Sequence, residues 1–182
     1  VVYRVKQFFD ALAARTDEND ERELARLLTP PQRELFRRMA PNDQRHALNV
    51  CATLRQAGHD DPDLLKAALL HDAGKAAGRI WLWQRTLIVL LQRWAPDVLR
   101  WLSRGDSPAQ APRWRRGFVV NRLHPELGAQ WAAQAGCLPT TVALIRRHQD
   151  PVQGPGSEAR PEEIKDYQER LLVALQWADG VN

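Results

Sequence analysis

Cysteine, methionine and alternating β-branched runs are scarce in this 182-residue chain, and each scarcity excludes something. The two cysteines, Cys51 and Cys137, are far apart in apolar helical patterns. Neither belongs to a pair spaced for zinc or for thiol redox chemistry. A disulfide framework and a structural zinc site are therefore set aside, and buried free thiols in a reducing cytoplasm are expected. No segment alternates apolar and polar residues convincingly, so no strand is expected, and no unit repeats along the chain. The most hydrophobic stretch, residues 80–91, contains Gln84 and Arg85 and is too short for a transmembrane segment. At the beginning of the chain Lys6, Asp10 and Arg15 interrupt the apolar residues, a pattern unlike a secretory signal. A cytoplasmic location is the resulting expectation.

What remains is an ordinary globular balance, 44% apolar and 26% charged, which argues against wholesale disorder. The length suits one domain with a sizeable core, or a domain with a small extension. The net charge of +4 comes largely from arginine. It suits a phosphate-bearing ligand, but without a clear aromatic-and-basic recognition stripe no nucleic-acid partner is expected.

Nearly every segment reads as helix. Val5, Phe8, Phe9 and Leu12 form a helical stripe over residues 3–14, and a short helix runs through Leu24, Leu27 and Leu28. Thr29-Pro30-Pro31 and Pro41-Asn42 read as restarts, with proline in the first turn. The second of these helices carries His46, Val50 and Leu54 on one side. Asp61-Pro62-Asp63 opens the helix that ends in Leu-Leu-His71-Asp72-Ala-Gly74-Lys75, where Gly74 permits a sharp turn. Residues 80–102 hold Trp81, Trp83, Trp94 and Trp101 and are expected to form two helices broken at Pro96. Their tryptophans are expected to pack in the core rather than on a membrane or partner. A helix is expected to end near His124, with Pro125 opening the next. Pro139 starts another that leads to His148, and the last runs over residues 161–179.

Four of the five histidines fall in a widely spaced series with two aspartates: His46, His71-Asp72, His124, His148 and Asp179. Each has a plain alternative when taken alone. His46 could be an ordinary helix histidine, His124 part of a helix N-cap, His148 a surface residue, Asp179 a helix cap and Lys75 a solvated lysine. Coincidence at all of these positions is far less probable than at any one. His59, in a polar turn after Gly58, is read as structural or solvated. Imidazoles and carboxylates without thiolates suit iron, manganese, zinc, cobalt or nickel, with magnesium also allowed. Two ions about 3.5–4 Å apart need a bridging ligand, and a carboxylate can bridge with its two oxygens. Asp72 is the natural bridge. His46, His71 and Asp179 would serve one ion, and His124 and His148 the other. A bridging hydroxide would attack phosphorus, with Lys75 supplying positive charge where phosphate charge accumulates.

These residues resemble the HD superfamily of metal-dependent phosphohydrolases, helical proteins named for a histidine–aspartate doublet. The minimal pattern of that family is matched by His46, His71-Asp72 and Asp179, and the resemblance covers residues 43–182. It implies an all-α, HD-domain helical bundle over residues 41–182 with an N-terminal helical extension over residues 1–40. His124-Pro125-Glu126-Leu127-Gly128-Ala129 and Ile145-Arg146-Arg147-His148 resemble the additional histidine segments of binuclear members. Those members include HD-GYP cyclic-dinucleotide phosphodiesterases and HD-type diadenosine tetraphosphate hydrolases. The resemblance implies two divalent metal ions, iron or manganese foremost. The sequence departs from the HD-GYP group at His148-Gln149-Asp150 and lacks the glycine-tyrosine-proline motif, which moves cyclic dinucleotides out of first place.

The leading expectation is a phosphohydrolase acting on a phosphoester or phosphoanhydride of a nucleotide or small phosphorylated metabolite. Catalysis would rest on Asp72 and Lys75. Arg115, Arg116, Arg122, Arg146 and Arg147 are candidate phosphate ligands because a guanidinium grips phosphate oxygens in pairs. A homodimer is allowed. The alternatives are a non-catalytic nucleotide-sensing module and, behind it, a di-iron oxygenase.

Overall fold

Helix starts along the chain are chemically marked. Asp17 accepts from the backbone N–H groups of Asn19 and Asp20, and Asp61 from those of Asp63 and Leu64. Such caps are worth about 1 kcal/mol each. Among the described residues five helices begin with proline, whose missing N–H would have had no partner in the first turn. The computed structural model describes residues 17–151 and 166–182. Within them the order is α1 (Glu18–Leu27), α2 (Pro30–Arg37), α3 (Pro41–Gln56), α4 (Pro62–Leu70), a 3-10 turn (Ala73–Ala77), α5 (Leu82–Trp94), α6 (Pro96–Leu102), α7 (Arg113–Gln134), α8 (Pro139–Arg147) and α9 (Tyr167–Val181). No strand occurs among the described residues, and the architecture is an all-α helical bundle. The helix expected over residues 3–14, and the start of the last helix before residue 166, lie outside the described residues.

One continuous core joins α1–α4 to α7–α9. Leu64, Leu65, Leu69 and Leu70 place α4 at its centre, buried on every side. Leu24, Leu28, Leu35 and Phe36, from the region assigned above to an extension, belong to the same cluster. Cys51 and Cys137 are free, Cys51 buried and Cys137 partly so, and burial pushes their thiols up to about 12 and about 11.

The close approach that positions the site is made by Gly74. A Cβ built there would lie 2.0 Å from the His124 carbonyl oxygen and 2.7 Å from the Gly128 nitrogen. Only hydrogen lets the turn after the His71-Asp72 doublet press against the backbone of α7.

Two expectations need correction. The break at Pro125 does not occur: α7 is one helix of 22 residues with Pro125 inside it. Proline cannot donate to the carbonyl four residues back, that of Asn121. The His124 Nδ1–H takes that place, 2.7 Å from the Asn121 oxygen. Nor are the tryptophans of residues 80–102 core residues. Trp81, Trp83, Trp94 and Trp101 are all exposed, Trp94 at 73%. Helices α5 and α6 rest on α7 through a small separate cluster, Ile88, Leu102 and Phe118, so these aromatics have no interior to fill. No helix among the described residues is long and apolar enough to cross a membrane.

Candidate metal centre

The six residues singled out from sequence converge, although they come from five parts of the chain. His46 comes from α3, His71 caps α4 and Asp72 follows it. His124 lies in α7, His148 caps α8 and Asp179 lies near the end of α9. The His46 and His71 rings are 5.4 Å apart, those of His71 and His148 5.1 Å, and those of His124 and His148 5.2 Å. His71, Asp72, His124 and His148 are buried, whereas His46 and Asp179 keep about a quarter of their side chains exposed.

Three of the imidazoles are held in the same way. His71 Nδ1–H donates to the Ala68 carbonyl (2.9 Å), His124 Nδ1–H to that of Asn121 (2.7 Å) and His148 Nδ1–H to that of Ile145 (2.7 Å). The acceptors are free for local reasons. Ala68 and Ile145 lie in the last turns of α4 and α8, where carbonyls have no intrahelical partner. Asn121 is freed by Pro125. With Nδ1 as donor, each ring turns its Nε2 inward, the orientation a metal-binding histidine requires. The C-terminal ends of α4 and α8 also direct partial negative charge toward the cluster.

The inward atoms form two groups that share Asp72. His46, His71 and Asp72 compose one, and Asp72, His124 and His148 the other, with one ligand atom from each residue within 4.8 Å of the rest of its group. Asp72 Oδ1 lies 3.3 Å from His124 Nε2, while Oδ2 lies 3.6 Å from His71 Nε2 and 2.6 Å from Lys75 Nζ. Asp179 Oδ1 sits between His46 Nε2 (2.8 Å) and His71 Nε2 (3.5 Å). His71 Nε2 is the telling atom. It is buried, has no hydrogen-bond partner, and stands too far from either carboxylate for a hydrogen bond. A cation held among His71, Asp72 and Asp179 would satisfy it. The donor set of imidazole nitrogens and carboxylate oxygens, with no thiolate, fits a divalent metal with an open coordination position.

The electrostatics follow from packing acids and bases without a cation. Burial alone would lower the His71 pKa, but the Asp72 and Asp179 carboxylates overcome it and raise the value above the ordinary histidine range. Burial would raise Asp72, yet His71, Lys75 and His124 hold it well below the usual carboxylate range. Asp179 is likewise lowered, against burial, by the hydrogen bond from His46 and the nearby His71 imidazole. At His148 the pull of Asp72 is outweighed. Burial, then the neighbouring His71 and His124, press it down to about 3, so it stays neutral and able to ligate.

The arginines expected to grip phosphate are occupied elsewhere. Arg115 donates to the Trp101, Leu102 and Arg104 carbonyls, closing the end of α6. Arg116 donates to the Pro108 carbonyl, and Arg122 to those of Ser103 and Gly105. Arg146 pairs with Glu126, whose pKa it lowers together with Gln130, and Arg147 pairs with Glu169 and Asp150. Their nearness to His124 and His148 in sequence does not turn them toward the metal ligands. His59 lies outside the cluster, in the turn after α3.

Sequence reasoning missed a different set of cations. A cavity of about 540 Å³ is lined by Arg38, Lys75, Arg79 and Arg85, with Ile80 and Leu82 on its apolar side. Lys75 is both bonded to Asp72 and part of this wall. Arg85 is held in a two-pronged pair by the buried Asp43. Among the described residues no carboxylate pairs with Arg38 or Arg79; the Arg79 guanidinium lies 4.0 Å over the Trp81 ring. No sequence signal joined Arg38 to Arg79, because they meet only where α2 comes beside the turn before α5.

No protein-family model, curated protein or solved structure matches the chain.

Proposed function

We propose that the chain is a metal-dependent phosphohydrolase of the HD superfamily, cleaving a phosphoester or phosphoanhydride of a nucleotide or small phosphorylated metabolite. The observation that carries this reading is the double use of Asp72. It belongs to both ligand groups, and the lysine bonded to it opens onto a cavity walled by arginines. Two divalent ions, iron or manganese foremost, would supply an acidified water and draw charge from the phosphoryl oxygens.

The protein's own groups have separable tasks. His46, His71 and Asp179 hold one side of the centre, His124 and His148 the other, and Asp72 joins them. Lys75 stands where a phosphoryl group entering from the cavity meets the cluster. Its ammonium would stabilise charge that grows in the transition state. Arg38 and Arg79, which pair with no carboxylate among the described residues, offer guanidiniums to the remainder of an anionic substrate, and the Ile80 and Leu82 side of the cavity accepts an apolar moiety such as a base. These cations favour phosphate over the oxygen chemistry of a di-iron oxygenase.

The test is phosphate release from a panel of nucleotides and phosphorylated metabolites by protein loaded with manganese or iron. Asp72→Ala should lose both metal and turnover. Absence of turnover across the panel overturns the reading, and tight nucleotide binding without turnover would replace it by a sensing module.

A further inference from the structure

Helices α5 and α6 carry an apolar surface that neither the core nor the metal centre uses. Leu82, Val89, Leu90 and Trp94 on α5, with Val98 and Trp101 on α6, are all exposed; Val89 is 65% and Trp94 73% exposed. On α5 Leu82, Thr86, Val89, Leu90 and Arg93 recur at three- and four-residue steps and so share one face, aliphatic at three of its five positions. The opposite face buries Gln84 and Ile88. An apolar stripe of helical period turned to solvent marks an interaction surface.

Charge decides what could cover it. Residues 79–104 contain Arg79, Arg85, Arg93, Arg100 and Arg104 against the single acid Asp97. Arg100 pairs with that acid and Arg85 with Asp43, and Arg79, Arg93 and Arg104 pair with no carboxylate among the described residues. A second copy of the chain applied about a two-fold axis would set arginines against arginines. A nucleic acid could stack on the tryptophans but offers nothing to the aliphatic Val89, Leu90 and Val98. An anionic bilayer supplies both an apolar layer for these side chains and a uniform negative field for the arginines. Tryptophan rings favour the headgroup boundary, between the two.

We infer that the exposed face of α5 and α6 seats the protein in the plane of an anionic lipid surface. The aliphatic stripe enters the acyl boundary, the tryptophans lie at headgroup depth, and the arginines meet lipid phosphates. Leu82 also lines the arginine-walled cavity, so this seating brings the cavity beside the lipid headgroups. The inference goes beyond the hydrolytic reading and stands apart from it, because vesicle binding is measured without turnover.

The experiment is cosedimentation of the full chain with vesicles of phosphatidylcholine alone and of phosphatidylcholine mixed with phosphatidylglycerol. Binding is expected to the anionic vesicles, weakening as salt is added. Joint Val89→Ser and Trp94→Ser substitution should lower affinity by about tenfold or more. Arg93→Gln and Arg100→Gln should each lower it about fivefold at low ionic strength. Both sets alter exposed side chains, and circular dichroism checks that each variant is folded. The inference fails if the parent chain does not sediment with anionic vesicles, or if both sets bind as the parent does. It also fails if light scattering shows a dimer that Val89→Ser with Trp94→Ser dissolves while vesicle binding is absent, which would make the face an interface between copies.

Discussion

His148 is the ligand whose setting differs most from its neighbours. Burial and the two adjacent imidazoles keep it neutral, whereas His71 is drawn toward protonation by Asp72 and Asp179. The two histidines therefore belong to ligand groups with unequal charge, joined through Asp72. Replacing His148 by glutamine should remove one ion and leave the other. Elemental analysis should fall from two metals per chain to one, with Asp72→Ala near none. A parent stoichiometry of one would undo the pairing of His124 with His148. The candidate ligands that the fold brings together were readable because imidazole and carboxylate chemistry resides in the residue type. The arginine roles were not, since guanidinium direction depends on which carbonyls the fold leaves open. Arg115 and Arg122 found theirs around the end of α6.

Helix α7 and the 3-10 turn explain how the ligands are aimed. Pro125 costs α7 a hydrogen bond, and His124 uses the released Asn121 oxygen to fix its own tautomer. Pro125→Ala should therefore move two observables in opposite directions. Thermal stability should rise, because proline in a helix interior is disfavoured by about 3 kcal/mol. Affinity for the second ion should fall about tenfold, because the restored N–H competes for Asn121. A rise in both would show that the proline has no part in aiming His124. Gly74→Ala tests the contact between the turn and α7. Its Cβ would collide with backbone rather than a movable side chain, so a loss of about 3 kcal/mol is expected, read as a lowered urea midpoint. Nothing in the residue order favoured a continuous α7, since proline before a helical run is also the usual mark of a start. The donor that resolves the ambiguity, the Nδ1–H of His124, lies on the side chain of the preceding residue.

The whole molecule links the centre to stability through protons. In metal-free protein the His148 pKa is depressed below its unfolded value, so its contribution is present above about 6.5 and lost as pH falls toward about 3. Asp72 and Asp179 act in the same direction, their contributions being lost as pH falls below the ordinary carboxylate range. His71 has the opposite sign. Its pKa is raised, so its contribution is full below about 6.5 and lost as pH rises through the elevated value. Metal-free protein should therefore be most stable near neutrality. Bound metal takes the place of the His71 proton and competes with protons in acid. Manganese should then raise the melting temperature more at about pH 8.5 than at about pH 5.5. Equal shifts at the two values would refute the linkage.

The sequence by itself determined the helical class, most helix starts and the six candidate ligands. Each of these depends on local spacing or on the chemistry of single residues. Only the tertiary structure decided that α7 continues through Pro125 and that Arg38 and Arg79 share the cavity with Lys75. It also decided that the tryptophans of α5 and α6 face outward. Those outcomes depend on which surfaces meet across long stretches of chain, and amphipathic spacing marks an apolar face without saying what covers it.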